Sequence, residues 1–262
     1  MTKINDKIES LIESVEGLSN SRKFHISTNI DDFMAFKKTP RESWPLEWKK
    51  VYHKAYPRFD QQILPSPTTI KIDLEKTILK RKSFRNFSGM DIDLNNFSDL
   101  IYYSAGIKDF SISGEKRNYP SGGARYPLEI YPIVFNVEKI KKGIYHYHVK
   151  THSLECILED ISKEKVLNQF DQLWIKKSAL LFVITAVFDR TEIKYQDRGY
   201  RHILTEYGHM AQNLYLMGTG LGLGVCSIGG FNDNGINELL DIDGLDESVV
   251  GVVAVGTKTK IG

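Results

Sequence analysis

The sequence predicts an α+β fold, because segments with helical periodicity are interspersed with β-hairpins and do not form regular βαβ repeats. The strongest helical signal lies at residues 201–218, where apolar residues recur every three or four positions. The strongest strand signal is the apolar run at 178–188, which is about half as long as a membrane-spanning helix requires. A β-branched run at 249–256 predicts the last strand.

The remaining elements follow from the same patterns. Apolar residues spaced by three and four predict an amphipathic helix over residues 4–18. A helix with an acidic first turn is predicted at 73–80. Another is predicted at 94–105, with Asp93 or Asn95 as its N-cap. Residues 128–137 and 143–149 are predicted to form a hairpin, followed by a third strand at 153–158.

The chain divides into two predicted regions. Residues 1–70 form a helical extension rich in proline and aromatic residues, and residues 71–262 form the functional domain. Residues 31–67 contain five prolines together with Trp44 and Trp48. Prolines interrupt regular structure and the aromatic side chains favour contact with a surface, so this segment is expected to wrap over the domain.

Composition limits the partners and the compartment. With 35 basic and 33 acidic residues the net charge is +2, so no global field favours nucleic acid or an anionic membrane. Cys156 and Cys226 are too few for a secreted disulfide framework, and the first twenty residues lack the apolar core of a signal peptide. We expect a cytoplasmic protein that binds a small molecule or a peptide.

The first functional motif is the Pro-Ser-Gly-Gly stretch at residues 120–123. Pro120 stiffens the entry, while Gly122 and Gly123 have no Cβ, so a flat ligand can lie against main-chain N–H groups. An isoalloxazine ring has the shape that such a segment would accept.

The second motif is the pair Lys194 and Tyr195, just ahead of the long helix. Burial can tune the protonation of both side chains, which suits proton transfer. By pattern alone, however, a Lys beside a Tyr at a strand end is more often a surface pair, so both interpretations remain open.

Two other patterns are set aside. His146 and His148 lie on one side of a predicted strand, but no third ligand stands nearby and no Cys-x-x-Cys exists, so no metal site is predicted. The glycine-rich stretch at 220–224 follows a helix and enters a strand, the reverse of a dinucleotide-binding motif.

Three motifs in this order resemble a known family: residues 120–129, 194–201 and the helix motif at 206–213. The chain is similar to the flavin-dependent thiazole/oxazole-forming dehydrogenases of ribosomal peptide toxin biosynthesis, the streptolysin- and microcin-type azoline oxidases of the FMN-dependent nitroreductase superfamily. The resemblance covers roughly residues 74–258 and, weakly, the stretch before them, where His25 and residues 48–65 resemble the family's usual lead-in. It implies a nitroreductase-like fold with a mixed, mostly antiparallel sheet flanked by helices. It also implies an obligate-type homodimer in which two subunits build each flavin site.

The resemblance also assigns roles to residues. Lys194 and Tyr195 would be the catalytic pair that takes a proton from the azoline while a hydride passes to flavin N5, with oxygen reoxidising the flavin. Arg198 and Arg201 would orient this segment or meet a carboxylate such as Glu206. FMN would be bound by Arg81, Lys82, Ser83, Arg85, Pro120, Ser121, Gly122, Gly123, Ile228, Gly229, Gly230 and Lys258. Lys82 stands where the family has a second Arg, so it keeps the charge but loses the bidentate fork.

Two alternative functions remain at this point. The same fold could carry an NAD(P)H-dependent reductase of nitro or quinone compounds, which would have no need of the Lys-Tyr pair. The chain could also be a flavin-bound scaffold that holds a cyclodehydratase and a precursor peptide together through its N-terminal segment.

Overall fold

The structure is a computed structural model that describes residues 17–29, 40–111 and 114–259. The strands are β1 (Gln61–Ile63), β2 (Ile107–Ser111), β3 (Gly114–Arg117), β4 (Leu128–Val134), β5 (Gly143–His148), β6 (Ser153–Glu159), β7 (Leu180–Val187), β8 (Gly224–Ile228) and β9 (Glu247–Gly256). The helices are α1 (Asn20–Ser27), α2 (Leu46–Lys49), α3 (Leu74–Lys80), α4 (Leu94–Ala105), α5 (Lys163–Leu167), α6 (Asp189–Tyr195), α7 (Arg198–Gly220) and α8 (Asp233–Leu240). Helices and antiparallel strands are intermixed along the chain, so the predicted α+β class is confirmed.

Seven strands form one sheet in the order β1-β6-β5-β4-β7-β9-β8, and β2 and β3 form a separate hairpin. All neighbouring strands of the large sheet pair antiparallel. A parallel bridge between Ser83 and Val225 adds a short segment beside β8, which gives the sheet its mixed character. The hairpin predicted at 128–149 is present as β4 and β5, and β6 is the predicted third strand.

The sheet is buried on both faces, and β7 shows how the sequence achieves this. Its alternate residues Leu180, Phe182 and Ile184 belong to the core on the side of α4 and α7. Leu181 and Val183 belong to the core on the other side, beneath α5 and α8. Since successive side chains of a strand point to opposite faces, a continuous apolar run is what a strand covered on both sides requires.

The helix boundaries follow capping chemistry. Asp73 accepts a hydrogen bond from the Lys76 amide and begins α3. Asp93 accepts hydrogen bonds from the amides of Asn95 and Asn96, so the N-cap of α4 is Asp93 and not Asn95. Each such cap stabilises the helix by about 1 kcal/mol because it satisfies backbone donors that have no intrahelical partner.

Three predictions about elements need comment. Lys194 and Tyr195 do not follow a strand; they are the last two residues of α6. The sequence patterns described above did not predict α8, which begins where the Asn232 side chain accepts a hydrogen bond from the Gly235 amide and caps the helix. Most of the amphipathic helix predicted at 4–18 falls outside the described residues, and α1 begins at Asn20.

The predicted N-terminal extension contributes to the fold. Its strand β1 pairs with β6 and forms one edge of the sheet. The proposed division near residue 70 remains a prediction, but residues 61–63 are part of the same sheet as the predicted domain. Within the described ranges, no helix is long and apolar enough to cross a membrane.

Candidate active site

A cleft of about 560 Å³ opens between the β2–β3 hairpin and the loop that precedes β4. Lys108 and Lys116 line it from the hairpin, and Pro120 and Gly123 line it from the loop. Trp44, from the N-terminal segment, supplies a further wall. The cleft therefore combines an aromatic surface, exposed main chain and cationic side chains.

The loop between residues 120 and 126 has an unusual backbone. Gly123 has φ 63° and ψ 21°, in the left-handed region that glycine adopts without cost. Ala124 and Tyr126 also have positive φ, and the Tyr126 amide donates a hydrogen bond of 2.9 Å to the Ser121 hydroxyl. The hydroxyl of Ser121 therefore closes a tight turn that presents the Gly122–Gly123 main chain to the cleft.

Lys194 and Tyr195 reach this turn from α6. A Cβ on Gly123 would collide with the Tyr195 hydroxyl and would lie 3.3 Å from Lys194 Nζ. The tertiary structure thus brings the two sequence motifs together at one point. Burial raises the pKa of Tyr195, and the positive charge of Arg125 opposes that rise. The phenol is consequently a neutral hydrogen-bonding group near pH 7.

Lys194 is enclosed by aromatic rings. Its Nζ lies 3.6 Å from the centroid of the Trp44 ring, 5.7 Å from that of Trp48 and 5.3 Å from that of Tyr195. The ring of Tyr195 meets the His202 imidazole edge to face, with centroids 4.9 Å apart. The two tryptophan rings and the imidazole therefore restrict the motion of the Lys194 and Tyr195 side chains.

Arg125 fixes the N-terminal segment over this pair. Its guanidinium donates hydrogen bonds to the carbonyls of Glu47, Trp48 and Arg190 at 2.9, 2.8 and 2.5 Å. The first two carbonyls belong to α2 and the third to α6. One planar fork therefore joins two helices that are far apart in the sequence.

Glu206 lies beneath the glycine turn, on the buried face of α7. Glu206 is only 2% exposed, and its Oε1 has no hydrogen-bond partner among the described residues. Burial raises the pKa of Glu206 to about 8, against the opposing effects of Ser121, Arg117 and the Gly122 backbone. Glu206 is therefore protonated near neutral pH and supports the turn as a neutral group.

The sequence left open whether Arg198 and Arg201 orient their segment or meet a carboxylate such as Glu206, and their hydrogen bonds favour the first alternative. Arg198 donates a hydrogen bond of 2.8 Å to the Thr28 carbonyl, and Arg201 donates to the His25 carbonyl. Both guanidinium groups thus orient the C-terminal part of α1 against the start of α7, which leaves Glu206 without a cationic hydrogen-bond partner.

A second group of predicted residues lies beside β8. The side chains of Arg81, Ser83 and Arg85 approach an aromatic floor: the Arg81 guanidinium is 5.5 Å from the Tyr215 ring and that of Arg85 is 5.9 Å from the Trp174 ring. Ser83 Oγ lies 3.2 Å from the Tyr215 hydroxyl. That hydroxyl accepts a hydrogen bond of 2.8 Å from the Ser227 amide, which joins this group to the end of β8 and hence to Ile228, Gly229 and Gly230.

The charges of this second group suit an anion. Lys82 and Lys258 lie 5.9 and 5.7 Å from the same Phe84 ring, and burial and the nearby charge of Lys82 lower the pKa of Lys258. Within the described part of the chain, none of the four cations forms a salt bridge with a carboxylate. A phosphate would relieve this accumulation of like charge, so these residues fit the phosphoryl end of FMN.

The two groups do not meet within one chain. The glycine turn contacts α7 at His202, whereas Ser83 contacts α7 at Tyr215. Thirteen residues of α-helix separate these points by about 20 Å. The predicted ring-binding and phosphate-binding residues therefore form two separate half-sites on one protomer.

Sequence reasoning missed several residues of these half-sites. Trp44 and Arg125 join the N-terminal segment to the Lys-Tyr pair, and Tyr215 joins Ser83 to β8. Two tryptophans four residues apart within a proline-rich segment were the available signal for Trp44, but the pattern could not show which surface they cover.

The two histidines on β5 have different environments. His146 is fully buried between Glu129 and Glu155, at 2.9 and 2.8 Å, and Arg190 also pairs with Glu129 at 2.6 Å. Burial opposes the protonation of His146, but the hydrogen bonds to the two carboxylates outweigh it and raise its pKa. His146 is a structural ion-pair residue, whereas His148 bonds Thr151 at 2.6 Å. Across the described ranges, no group of three or more His, Cys, Asp or Glu is placed to hold a metal ion.

The sequence of this chain is similar to those of several known proteins. The sequence profile of the Nitroreductase family matches residues 78–257. The protein MJ1384 of Methanocaldococcus jannaschii, whose name describes a nitroreductase, is 38% identical over 184 residues, which cover 70% of this chain and 91% of MJ1384. The microcin B17-processing protein McbC of Escherichia coli is 31% identical over 136 residues, which cover 49% of either chain.

A solved structure extends the comparison to nearly the whole chain. A chain of the E. coli microcin synthetase McbBCD complex with truncated pro-MccB17 bound matches with a TM-score of 0.61 and 22% sequence identity. The match covers 95% of this chain and 98% of that chain. This likeness confirms the fold expected from the sequence motifs.

Proposed function

Because the chain belongs to the nitroreductase family, we propose that it is an FMN-dependent dehydrogenase that oxidises thiazoline or oxazoline rings in a peptide to thiazole or oxazole. The observation that carries this proposal is the convergence of Lys194 and Tyr195 on the Gly123 turn. A nitroreductase that takes electrons from a nicotinamide has no step that requires a Lys-Tyr pair at the ring-binding segment. The similarity to a microcin-processing protein supports the same substrate class.

FMN would be held at both half-sites. Arg81, Lys82, Ser83, Arg85 and Lys258 would bind its phosphate and ribityl chain, with the N–H groups near Ile228, Gly229 and Gly230 facing the ring system. Pro120, Ser121, Gly122 and Gly123 would line the ring from the other half-site. Bound FMN supplies a two-electron acceptor that takes a hydride at N5 and passes the electrons to oxygen.

Residues of the cleft accept the proton that leaves the azoline ring. Conversion of an azoline to an azole breaks the C4–H bond, and the electron pair forms the C4=C5 double bond as a hydride leaves C5. Lys194 accepts the C4 proton as the general base. Tyr195, whose phenol remains protonated because burial raises its pKa, donates a hydrogen bond that orients the amine and can relay the proton onward.

A homodimer would unite the half-sites. On one protomer they lie about 20 Å apart along α7, so the glycine turn of one subunit must face the cation cluster of its partner if one FMN is to contact both. We therefore propose that two copies form two equivalent flavin sites, related by a two-fold axis. Subunit mixing tests this proposal. A variant damaged at Arg81 and another damaged at Lys194 should together recover about a quarter of the wild-type activity if subunits pair at random, and about half if all dimers are mixed.

The substrate would be a peptide delivered by a second enzyme. A cyclodehydratase is the class of partner that makes azolines from Cys, Ser or Thr residues, and the matched McbBCD structure holds a truncated precursor, pro-MccB17. Cys156 and Cys226 are both free thiols, which supports a cytoplasmic location.

Anaerobic bleaching of the flavin absorbance tests the proposal. The purified protein is mixed with a synthetic thiazoline or oxazoline peptide, and in parallel with NADH or NADPH. We expect bleaching by the azoline alone, abolished in a Lys194→Ala, Tyr195→Ala double variant and retained in Lys150→Ala, which changes an exposed lysine in the turn before β6. Bleaching by the nicotinamide alone would assign a reductase, and a fully active double variant would refute the catalytic roles.

If neither the azoline peptide nor the nicotinamide bleaches the flavin, the scaffold is the function that remains. Flavin-free Arg81→Ala, Arg85→Ala protein would then still assemble with a cyclodehydratase and precursor peptide. Loss of azole formation with assembly retained would instead support the dehydrogenase.

A further inference from the structure

The aromatic ring nearest to Lys194 does not come from the region that the family profile matches. Trp44 lies in the segment of residues 40–49, whereas the Nitroreductase family profile begins at residue 78. We infer that Trp44 is a positioning residue of the active site, whose indole holds the Lys194 side chain over the Gly123 turn and stabilises its protonated form. This inference rests on the proposed function, in which Lys194 is the base.

The contact has the geometry of a strong cation–π interaction. Lys194 Nζ lies 3.6 Å from the centroid of the Trp44 ring, well inside the limit of about 6 Å for such contacts. Trp44 is half-buried and also lines the cleft beside Gly123, so the lysine, the indole and the turn meet at one place. Tryptophan gives the strongest interaction of the three aromatic side chains.

The position of the indole is fixed from two directions. Trp48 meets Trp44 edge to face with centroids 6.2 Å apart, and Trp48 Nε1 donates a hydrogen bond of 3.2 Å to the carbonyl of Ile193, next to Lys194. Arg125 clamps the backbone of α2 to α6. The N-terminal segment is therefore held on the same helix that carries the base, and a shift of one would move the other.

The indole would act differently before and after proton transfer. Lys194 must be a neutral amine to accept the C4 proton and becomes an ammonium when it has done so. A cation–π contact favours the ammonium, so the interaction strengthens as the transition state is approached. The titratable and charged groups that face the pair from the described elements are Tyr195 on α6, Arg125 on the turn and His202 on α7.

Kinetics of Trp44 variants test the inference. In Trp44→Leu we expect the plateau of kcat/KM at high pH to fall about 2- to 10-fold. The pH at which kcat/KM reaches half of that plateau should also move down, by about 0.5 to 1.5 pH units, because the ammonium has lost its stabilising partner. Trp44→Phe retains a ring and should restore most of both values. A purely structural role would lower activity or stability without moving the midpoint.

Tyr52→Leu is the matched control. In the same N-terminal segment, Lys50 Nζ lies 4.9 Å from the centroid of the Tyr52 ring. Tyr52 lies outside the cleft and is 47% exposed. We expect its kcat/KM profile to equal that of the wild type. If Trp44→Leu also keeps the wild-type plateau and midpoint, Trp44 has no part in the reaction and the inference is overturned.

A fluorescence titration tests the contact without turnover. The chain has three tryptophans, so Trp48→Phe, Trp174→Phe leaves Trp44 as the sole tryptophan, whose emission is followed. We expect its emission to change along an alkaline titration, and to lose that transition when Lys194→Met is added but to keep it when Tyr195→Phe is added. A transition unaffected by Lys194→Met would overturn the contact. Should azolines fail to bleach the wild-type flavin, the proposed function fails, while this titration still decides whether Trp44 senses the charge of Lys194.

Discussion

The hydroxyl of Tyr195 occupies the space that a Cβ on Gly123 would need. Glycine at this position therefore serves two purposes: it adopts a φ of 63° and it leaves room for the Lys-Tyr pair to approach the main chain. A backbone feature from one motif and two side chains from another, about seventy residues later, thus define a single point in the cleft.

Gly123→Ala should strongly reduce azoline oxidation. The substitution places an L side chain in the left-handed region, at a cost of about 1–2 kcal/mol, and also displaces Tyr195. We expect the protein to fold and bind flavin, with kcat/KM for an azoline peptide reduced at least tenfold because Lys194 and Tyr195 are moved. Flavin bleaching and urea unfolding measure the two effects separately.

Gly222→Ala provides the matched control for that experiment. Gly222 also has a positive φ, of 77°, but no atom lies within 4 Å of a Cβ built there. It should lose similar stability and keep its activity. Equal losses of activity in both variants would show that strain alone, and not the contact with Tyr195, explains the effect.

The cation cluster should recognise phosphate in particular. We expect wild-type protein to prefer FMN to riboflavin, which lacks the phosphate, and Arg81→Ala or Arg85→Ala to weaken FMN binding about 10- to 100-fold. Riboflavin binding should change little, and the preference for FMN should fall at high salt because Lys82, Arg85 and Lys258 are exposed. Quenching of flavin fluorescence gives the affinities.

Lys80→Ala is the control for the phosphate site. Lys80 is an exposed cation at the end of α3, next to the cluster in sequence. Its loss should leave the preference for FMN unchanged. A Lys80 effect as large as that of Arg81 would mean that net charge, and not the arrangement around Ser83, governs binding.

Glu206→Gln should stabilise the protein at alkaline pH. Burial raises the folded-state pKa of Glu206 to about 8, above an unfolded value of about 4.3, so the folded state holds a proton that the unfolded state releases. The stability from this group is complete below about pH 4.3 and is lost as the pH rises to about 8. The Glu206→Gln variant does not lose this stability as the pH rises. Its free energy of unfolding should therefore exceed that of the wild type by roughly 2–4 kcal/mol at pH 8.5.

Urea unfolding at pH 5 and pH 8.5 measures this difference. The gain should be much smaller at pH 5, and the exposed Glu138→Gln should show none at either pH. A Gln variant that is less stable at pH 8.5 would indicate that Glu206 is charged in the folded protein and paired with a group such as Arg117.

Arg125→Met should release the N-terminal segment from α6. The substitution removes three charged hydrogen bonds to backbone carbonyls, and we expect a loss of about 2–4 kcal/mol of stability. Amides of residues 40–60 should exchange faster with deuterium, which mass spectrometry of the peptides can follow. Arg125→Lys, which keeps the charge but not the fork, should be intermediate, and exposed Arg58→Met should leave exchange unchanged.

Much of the fold was readable from local patterns. Helical periodicity placed α4 and α7, turn signals bounded β4 to β6, and a continuous apolar run placed β7, because each of these elements buries one face or both against the rest of the chain. Asp93, one of the two N-cap candidates in the sequence, caps the start of α4. The α6 helix was missed because the segment at residues 189–195 is short and mostly polar. The α8 helix was missed because it is only eight residues long and its start depends on the Asn232 side chain as N-cap.

By itself, the sequence determined the fold class, the family motifs and the identity of the residues that could bind a flavin or move a proton. Only the tertiary structure decided that Lys194 and Tyr195 meet Gly123, that Trp44 covers Lys194, and that the two half-sites stand at different points of α7. Those relationships join segments separated by 70 to 150 residues. Local periodicity records which face of an element is buried, but not which distant side chain covers it, because that depends on the packing of the whole chain.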